Sequence, residues 1–291
     1  MFAQTELALD ACFDRLYTDY HLKINNGGVK MIKSVSEALS LKGKNTIVTG
    51  GAKGIGLGIT EAFAQQGANV AIFARDEAAA NDAVRDLKSR FGGQFSFYAA
   101  DIANMDSCRE AVSNYIKDYG TVDVLVNNAG IGTMGSLLSM DEDMSSWFEC
   151  INVDLHGGAR MCYLVCKHMR DAGKGGRVIN ITSNAGEIVN APFLTAYATA
   201  KAGFNHFTKC LAAELAPFKI RVNAIAPGFT HSNFAKDAPP EAIKALCENI
   251  PIGRFADAIE IGILAAYLAS DAADIVTGAV FTADGGYALQ H

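Results

Sequence analysis

Short apolar runs alternate along the chain with longer stretches in which apolar positions recur every three or four residues. Most of the short runs are apolar throughout, which is typical of strands buried on both faces of a parallel sheet. The predicted strands are 45–49, 69–74, 95–100, 122–127, 177–182, 221–226 and 279–283. The longer stretches have helical periodicity, and the predicted helices are 56–66, 77–90, 105–119, 144–170, 197–216 and 258–270.

Strands that alternate with helices predict a doubly wound, Rossmann-like α/β fold with three layers and a seven-stranded parallel sheet, whose ligands bind at the carboxyl ends of the strands. No Pro/Ser-rich linker or charge run divides the sequence after residue 45, so residues 41–291 are expected to form one domain. Residues 1–40 are an amino-terminal extension with an amphipathic stretch at 7–20 and a flexible break at 25–28. The extension is expected either to be a surface appendage or to clasp a neighbouring subunit.

Composition narrows the class of protein. The 25 Lys and Arg against 31 Asp and Glu give a net charge of −6, without a basic stripe, which argues against a nucleic-acid partner. No apolar stretch reaches the roughly 18 residues of a membrane span, and no export signal begins the chain. The seven cysteines are scattered through apolar segments, and Cys162 and Cys166 lack ligand partners at zinc spacing. Buried thiols in a reducing cytosol, and no metal, are therefore expected.

A glycine-rich turn, Thr49-Gly-Gly-Ala-Lys-Gly-Ile-Gly56, follows the first predicted strand. Glycines at 50, 54 and 56 let the backbone approach a pyrophosphate, and the next helix offers its amino-terminal NH groups. The spacing differs from Gly-x-Gly-x-x-Gly, and no Lys-Ser/Thr pair follows to make a P-loop. A purely structural turn is the alternative, but the position between strand and helix favours phosphate binding.

Tyr197 and Lys201 lie one turn apart on the same predicted helix face. The ammonium eases ionisation of the phenol, which makes Tyr197 a candidate general acid/base. Ser183 directly follows the fifth predicted strand and can hold a substrate oxygen beside the phenol. The alternative for the pair alone is a chance contact on the helix surface.

These residues, taken together, resemble the short-chain dehydrogenase/reductase family from about residue 41 to residue 286. The matching marks, in family order, are Thr49-Gly-x-x-x-Gly-Ile-Gly56, Asn127-Asn-Ala-Gly130, Asn152, Ser183, Tyr197-x-x-x-Lys201, Pro227-Gly228 and Asp284-Gly-Gly286. The resemblance implies hydride transfer between a nicotinamide and a CH–OH group. It also implies that Tyr197 passes the proton, Ser183 binds the substrate oxygen and Lys201 binds the nicotinamide ribose.

Asn152 matches the family's asparagine, which holds a water that links the lysine to solvent. An amide that caps a helix turn is the alternative for this residue. The resemblance further implies cofactor contacts from the glycine turn and from the loops after the third, fourth and sixth strands. These contacts are Gly50, Lys53, Gly54, Ile55, Gly56, Asp101, Ile102, Asn128, Ala129, Gly130, Pro227, Gly228, Thr230 and Ser232, besides Tyr197 and Lys201. Asn127 is expected to tie neighbouring strands together.

Cofactor choice depends on the end of the second predicted strand. An enzyme that prefers NAD normally has a carboxylate there, and that carboxylate repels a 2′-phosphate. The aligned residue is Ala74, followed by Arg75, and Lys53 adds a second positive charge. NADP is therefore predicted, while Asp76 would favour NAD if the strand ended one residue later.

The substrate is predicted to be a secondary alcohol or ketone, with a sugar, polyol or small keto acid preferred. A 3-oxoacyl-thioester reductase is the alternative, but its acyl carrier protein needs a basic patch, and residues 229–237 offer only Lys236. A hydroxysteroid dehydrogenase and a dinucleotide-binding sensor are further alternatives. Residues 232–249 resemble the family's substrate lid, and His231 is a candidate substrate contact.

Several other prominent side chains are not expected to take part in the chemistry. His156, His168 and His206 are expected to be ordinary helix residues, and Trp147 and Phe148 to pack in the core. The resemblance implies a homotetramer through the helices at 144–170 and 197–216 and through the last strand.

Overall fold

In the computed structural model, residues 34–188, 192–231 and 239–290 are described, and seven parallel strands among them form one sheet. The strands are β1 (Asn45–Thr49), β2 (Asn69–Ala74), β3 (Phe95–Ala99), β4 (Val124–Asn127), β5 (Gly176–Ile181), β6 (Ile220–Pro227), β7 (Thr230–His231), β8 (Ala256–Asp257) and β9 (Val280–Ala283). The sheet order is β3-β2-β1-β4-β5-β6-β9, and β7 pairs separately with β8. The predicted doubly wound fold is confirmed.

Helices cover both faces of the sheet. The helices of the described residues are α1 (Val35–Leu39), α2 (Gly54–Gln65), α3 (Glu77–Phe91), α4 (Met105–Tyr119), α5 (Ser145–Ile151), α6 (Gly158–Ala172), α7 (Thr195–Leu215), α8 (Pro240–Glu248) and α9 (Ala258–Ala269). A π-helical segment, Asn152–Gly157, joins α5 to α6, so the predicted helix at 144–170 is one run with a wider turn inside it. Among the described residues, no helix is long and apolar enough to cross a membrane.

The core has two apolar layers, one on each face of the sheet. Successive strand residues alternate between the layers, as Ile47 and Val48 do in β1. One layer packs against α2, α3 and α9, and the other against α4, α6 and α7. Residues Ala38–His291 form one compact unit, and Met1–Glu37 is a unit of its own. The features predicted at 7–20 and 25–28 lie outside the described residues.

Helices α2 and α9 approach each other through glycines. A Cβ atom on Gly58 of α2 would lie 2.3 Å from the carbonyl oxygen of Ala258. A Cβ atom on Gly262 of α9 would lie 2.3 Å from the carbonyl oxygen of Gly58. Since no side chain fits at either position, α9 rests on the backbone of the helix that follows the glycine turn.

The predicted core position of Phe148 is wrong. Its side chain is 61% exposed, whereas Cys150 is fully buried. Two residues turn a helix by about 200°, so the two side chains must point to opposite sides of α5. Trp147 is partly buried.

Candidate active site

The loops after β1 and β4 meet at the point where the strand order reverses, which is where folds of this class bind nucleotides. The Thr49 hydroxyl accepts hydrogen bonds from the backbone NH groups of Asn128 (2.9 Å) and Ala129 (3.0 Å). The Asn128 amide donates back to the Thr49 carbonyl at 2.9 Å. Asn128 and Ala129 therefore hold the glycine turn in place from the neighbouring strand.

The conformation of the glycine turn requires glycine at three of its positions. Gly50 and Gly54 have φ angles of +66° and +53°, which few other residues adopt. A Cβ atom on Gly56 would lie 2.2 Å from the Gly50 carbonyl oxygen. Helix α2 begins at Gly54, so its free NH groups, including that of Ile55, lie at this edge of the sheet. The turn fits a pyrophosphate of a dinucleotide.

Tyr197 and Lys201 lie one turn apart in α7, as their spacing predicts. The Lys201 ammonium nitrogen is 5.4 Å from the centroid of the Tyr197 ring. Lys201 is 4% exposed, and its nitrogen also donates to the Ile181 carbonyl at 3.4 Å. The half-buried Tyr197 phenol therefore lies next to the buried Lys201 cation at the carboxyl end of β5.

A carboxylate that the sequence reasoning missed pairs with this lysine. Asp154 Oδ1 lies 3.0 Å from Lys201 Nζ, and the exposed fractions of the two side chains are 0% and 5%. The Ile131 NH donates to both carboxylate oxygens at 3.2 Å, and the Cys150 thiol donates to Oδ2 at 3.7 Å. A Cβ atom on Gly130 would lie 2.3 Å from Oδ1, so glycine is required beside the carboxylate.

The charges around Lys201 keep it protonated. Burial by itself lowers the pKa of the ammonium, but the neighbouring Tyr197 and Asp154 outweigh burial and raise this pKa above its ordinary value. Burial, and after it the Asp154 charge, raises the pKa of Cys150, which stays a thiol donor. The site thus contains one buried ion pair with a neutral donor on the carboxylate.

The Asn152 side chain forms hydrogen bonds with groups other than Lys201. Its amide donates to the Ala103 carbonyl at 3.4 Å and accepts from Arg160 Nη2 at 2.6 Å. Arg160 also donates to the Ile102 carbonyl at 3.2 Å. Asn152 therefore joins the π-helical segment to the loop after β3, and its link to Lys201 through a water stays a prediction, while Asp154 contacts Lys201 directly.

Ser183 lies two residues beyond the end of β5 and is buried. Its hydroxyl oxygen accepts from the Ala185 NH at 3.1 Å, which leaves its proton to donate to a substrate oxygen. The next residue, Asn184, donates to Asp284 Oδ2 at 3.3 Å. The Asp284 carboxylate also accepts from the NH groups of Gly286 and Ala288, so Asp284 braces the serine loop from the end of β9.

Gly228 approaches the same aspartate, because a Cβ atom there would lie 2.6 Å from Asp284 Cβ. Pro227 ends β6, and the buried Thr230 hydroxyl donates to the Gly228 carbonyl at 3.1 Å. The His231 ring lies 5.4 Å from the ring of Phe255 and is exposed. Ser232 and Lys236 lie outside the described residues.

On the other side of the glycine turn, β2 ends at Ala74 and Arg75 is exposed. Asp76 caps α3 by accepting from the Ala79 NH at 3.0 Å and pairs with Lys53 at 2.6 Å. Both predicted cations thus lie at this end of β2.

Asp101, after β3, accepts from the Ala103 NH at 3.0 Å, and Ile102 is buried. Asn127 donates to Asn180 at 2.9 Å, which ties β4 to β5. No three His, Cys, Asp or Glu side chains within the described ranges are grouped so that they could hold a metal ion.

Known proteins resemble this arrangement over most of the chain. A sequence model of the family described as enoyl-(acyl carrier protein) reductase matches residues 50–288. The 3-oxoacyl-(acyl-carrier-protein) reductase FabG of Chlamydia muridarum is 38% identical over 248 residues, which cover 85% of this chain and 98% of that protein.

Two solved structures share the fold. The NADPH-dependent 3-quinuclidinone reductase of Rhodotorula rubra has a TM-score of 0.83 at 32% identity, over 91% of this chain and 98% of its own. A gluconate 5-dehydrogenase from Burkholderia cenocepacia, solved with NADP and tartrate, has a TM-score of 0.81 at 30% identity, over 87% and 98% of the two chains. The protein belongs to the short-chain dehydrogenase/reductase family and is an oxidoreductase.

Proposed function

We propose that this enzyme is an NADPH-dependent reductase of 3-oxoacyl thioesters. The observation that carries the chemistry is the buried Lys201 cation one helical turn from the Tyr197 phenol, beside the glycine turn. The observation that favours the substrate class is the 38% identity to a 3-oxoacyl-(acyl-carrier-protein) reductase over 98% of that protein's length. The similarity favours this substrate over the sugar, polyol or keto acid that the sequence alone favoured.

Each side chain of the site has a separate role in the proposed reaction. When bound, NADPH would supply the hydride that adds to the carbonyl carbon of the substrate. The Tyr197 hydroxyl donates a proton to the carbonyl oxygen, while the Ser183 hydroxyl donates a hydrogen bond to the same oxygen. Lys201 holds positive charge beside the phenol and so stabilises the phenolate that remains. One carbonyl, one hydride and one proton give the alcohol.

NADPH is favoured over NADH by the residues at the end of β2. The strand ends at Ala74, so no carboxylate stands at the position that would accept from the ribose hydroxyls. Arg75 is exposed there, and Asp76 is engaged by the Lys53 ammonium and by the α3 cap. Within the described residues, no carboxylate is paired with Arg75, so its guanidinium can meet a 2′-phosphate.

Arg75→Asp tests this preference. Loss of one charge-assisted contact is worth about 1.5–3 kcal/mol, so NADPH affinity should fall roughly 10- to 150-fold while NADH affinity holds or rises. Fluorescence titration with both nucleotides measures the change. Arg109→Asp, on exposed α4, is the matched control and should leave both affinities unchanged. A wild-type enzyme that binds NADH more tightly would refute the proposed cofactor.

We assign the acyl chain of the substrate to a cavity of about 670 Å³ that lies beside the serine loop and is lined by none of Ser183, Tyr197 and Lys201. It is bordered by Glu187 of the serine loop and by Phe229 after β6, and Ile252, Ile261 and Leu289 contribute apolar lining. Such surface suits a hydrocarbon chain better than a polyhydroxylated one. Arg254, also in the lining, makes two 2.7 Å hydrogen bonds to Glu260, which balances the charge that would attract an acidic carrier protein.

The deciding experiment is a substrate panel followed by NADPH absorbance. Acetoacetyl thioesters of coenzyme A and of acyl carrier protein should be reduced, with kcat/KM rising as the acyl chain lengthens. Equal rates on both carriers would agree with the neutralised Arg254. Turnover of 5-ketogluconate with none of the thioesters would replace this proposal with the sugar-acid reductase suggested by the likeness to gluconate 5-dehydrogenase.

We also propose that the enzyme is a homotetramer. Phe148 of α5 and Tyr163 of α6 are 61% and 60% exposed, and both belong to the helical run that was predicted to form a subunit interface. Exposed aromatic side chains are typical of such interfaces. Sedimentation of the wild type against a Phe148→Ser, Tyr163→Ser double variant tests the assignment, and an unchanged assembly would contradict it.

A further inference from the structure

We infer that Asp154 positions Lys201 and that its negative charge sets the pH range in which Tyr197 works. This inference rests on the proposed function. The family resemblance places a neutral amide beside the lysine, through a water. In this chain a carboxylate contacts the ammonium directly, 3.0 Å away.

The geometry gives Asp154 three simultaneous contacts. Its carboxylate binds the Lys201 ammonium, the Ile131 NH and the Cys150 thiol. These partners belong to α7, to the loop after β4 and to α5. A single side chain therefore fixes the lysine relative to the loop that carries Gly130, one of the predicted ribose contacts.

The π-helical segment is what directs Asp154 to the site. A π turn adds a residue to a helical turn and shifts the faces of the residues that follow, and such turns are frequent at functional sites. Asn152 and Asp154 both lie in this segment, yet Asn152 contacts Ala103 and Arg160, while Asp154 contacts Lys201. Exchanging the roles of the two residues would require unwinding the segment.

The charge of Asp154 has a separate consequence. The groups that face Lys201 are Tyr197 on its own helix, Asp154 on the π-helical segment, Cys150 on α5 and the Ile181 carbonyl of β5. Cys150 is a neutral thiol at ordinary pH, so Asp154 is the anion that offsets the lysine. The phenol consequently faces a nearly neutral pair, whereas an amide at position 154 would leave it facing a full positive charge.

Asp154→Asn separates the two roles because it keeps the shape and the hydrogen-bond acceptor but removes the charge. Its phenolate should form at a pH at least about 1 unit lower than in the wild type, because a unit charge about 12 Å away at an effective dielectric constant near 20 has that effect and a closer charge has a larger one. The alkaline rise in the rate of alcohol oxidation should move down by the same amount. Asp171→Asn, exposed at the end of the same helical run, is the matched control and should move neither midpoint.

Asp154→Ala tests the positioning role. Without a partner for the ammonium, kcat should fall at least about 10-fold at every pH, as expected when catalytic geometry is loosened, while KM changes little. Asn at the same position should restore most of kcat. Recovery by Asn together with a shifted pH profile is an outcome that a merely structural role would not give.

Tyrosinate absorbance keeps this inference distinct from the proposed function. The pH titration of the wild type minus that of Tyr197→Phe reports the phenol without any turnover, and the same difference is measured in the Asp154→Asn background. Failure to reduce any thioester would overturn the proposed function alone. An unchanged titration midpoint in the Asp154→Asn background would overturn the role of the Asp154 charge, and wild-type kcat in Asp154→Ala would overturn its positioning role.

Discussion

Charged residues gather at both ends of the sheet, but the two groups are built differently. At the amino ends of the strands, Asp271 binds both Lys44 and Arg177, and Asp274 binds both Arg177 and Arg221. Asp274 is also 55% exposed, so water shares in these contacts. At the carboxyl ends, Lys201 and Asp154 form a buried pair, and neither forms a second ion pair among the described residues. One side chain of the amino-end group can be removed while the remaining charges stay paired. Removal of either Lys201 or Asp154 leaves the other charge unpaired.

The largest stability effect is expected from Asp154→Ala. It leaves the Lys201 ammonium buried and unpaired, which typically costs about 3–5 kcal/mol. Denaturant unfolding at neutral pH measures the loss in free energy of unfolding. A loss below about 1 kcal/mol would mean that the carboxyl-end pair is as tolerant as the amino-end group, and the contrast would disappear.

Tyr197→Phe, also at the carboxyl ends of the strands, should lower activity without changing stability. It removes the proton donor but keeps the ring, so turnover should fall by at least about 10²-fold, roughly 2.7 kcal/mol in activation free energy. Nucleotide binding and the free energy of unfolding should stay near those of the wild type. Turnover close to the wild-type rate would contradict the assignment of the phenol.

The carboxyl-end pair should also show a pH signature in stability. The folded protein raises the pKa of Lys201, so the pair contributes fully below the ordinary lysine pKa of about 10.4 and is lost as pH rises through the higher folded value. The gap in free energy of unfolding between the wild type and Asp154→Asn, about 1–2 kcal/mol at neutral pH, should therefore narrow only in the alkaline range. Unfolding curves from pH 7 to 11 test this, and a gap that widens with pH would show the opposite sign.

The smallest effect is expected from Lys44→Met at the amino ends. Asp271 retains Arg177 at 2.5 Å, so the loss should stay within about 1 kcal/mol, as for most partly exposed ion pairs. Activity should be unchanged. A loss as large as that of Asp154→Ala would show that sharing partners gives no protection.

Most of the fold is readable in the sequence because strands buried on both faces leave long apolar runs. All seven strands of the main sheet lie within two residues of their predicted bounds, as with β4, predicted from 122 and observed from Val124. The two-residue strands β7 and β8 were not predicted, since they carry no periodicity. The spacing of Tyr197 and Lys201 placed them on one helix face because helix geometry alone determines it.

The partner of Lys201 could not be identified by the same reasoning. The family pattern has an asparagine in this region, and Asn152 lies two residues from Asp154. The signal for Asp154 was nevertheless present: it falls in the row of small and apolar residues formed by Cys150, Gly157, Gly158 and Met161, all buried. A lone carboxylate on a buried helix face implies a buried cation, and Lys201 was the candidate.

The close approach of α9 to α2 has a consequence for how the protein is made. The glycine turn and α2 are among the first described elements to leave the ribosome, while α9 is among the last. Because Gly58 and Gly262 let the two helices meet at their backbones, α2 has an uncovered apolar side until residue 269 has emerged. Synthesis at about 5–20 residues per second separates the two by roughly 10–40 seconds. The segment predicted to bind nucleotide is therefore synthesised early but covered late, and the nascent chain must avoid aggregation during that interval.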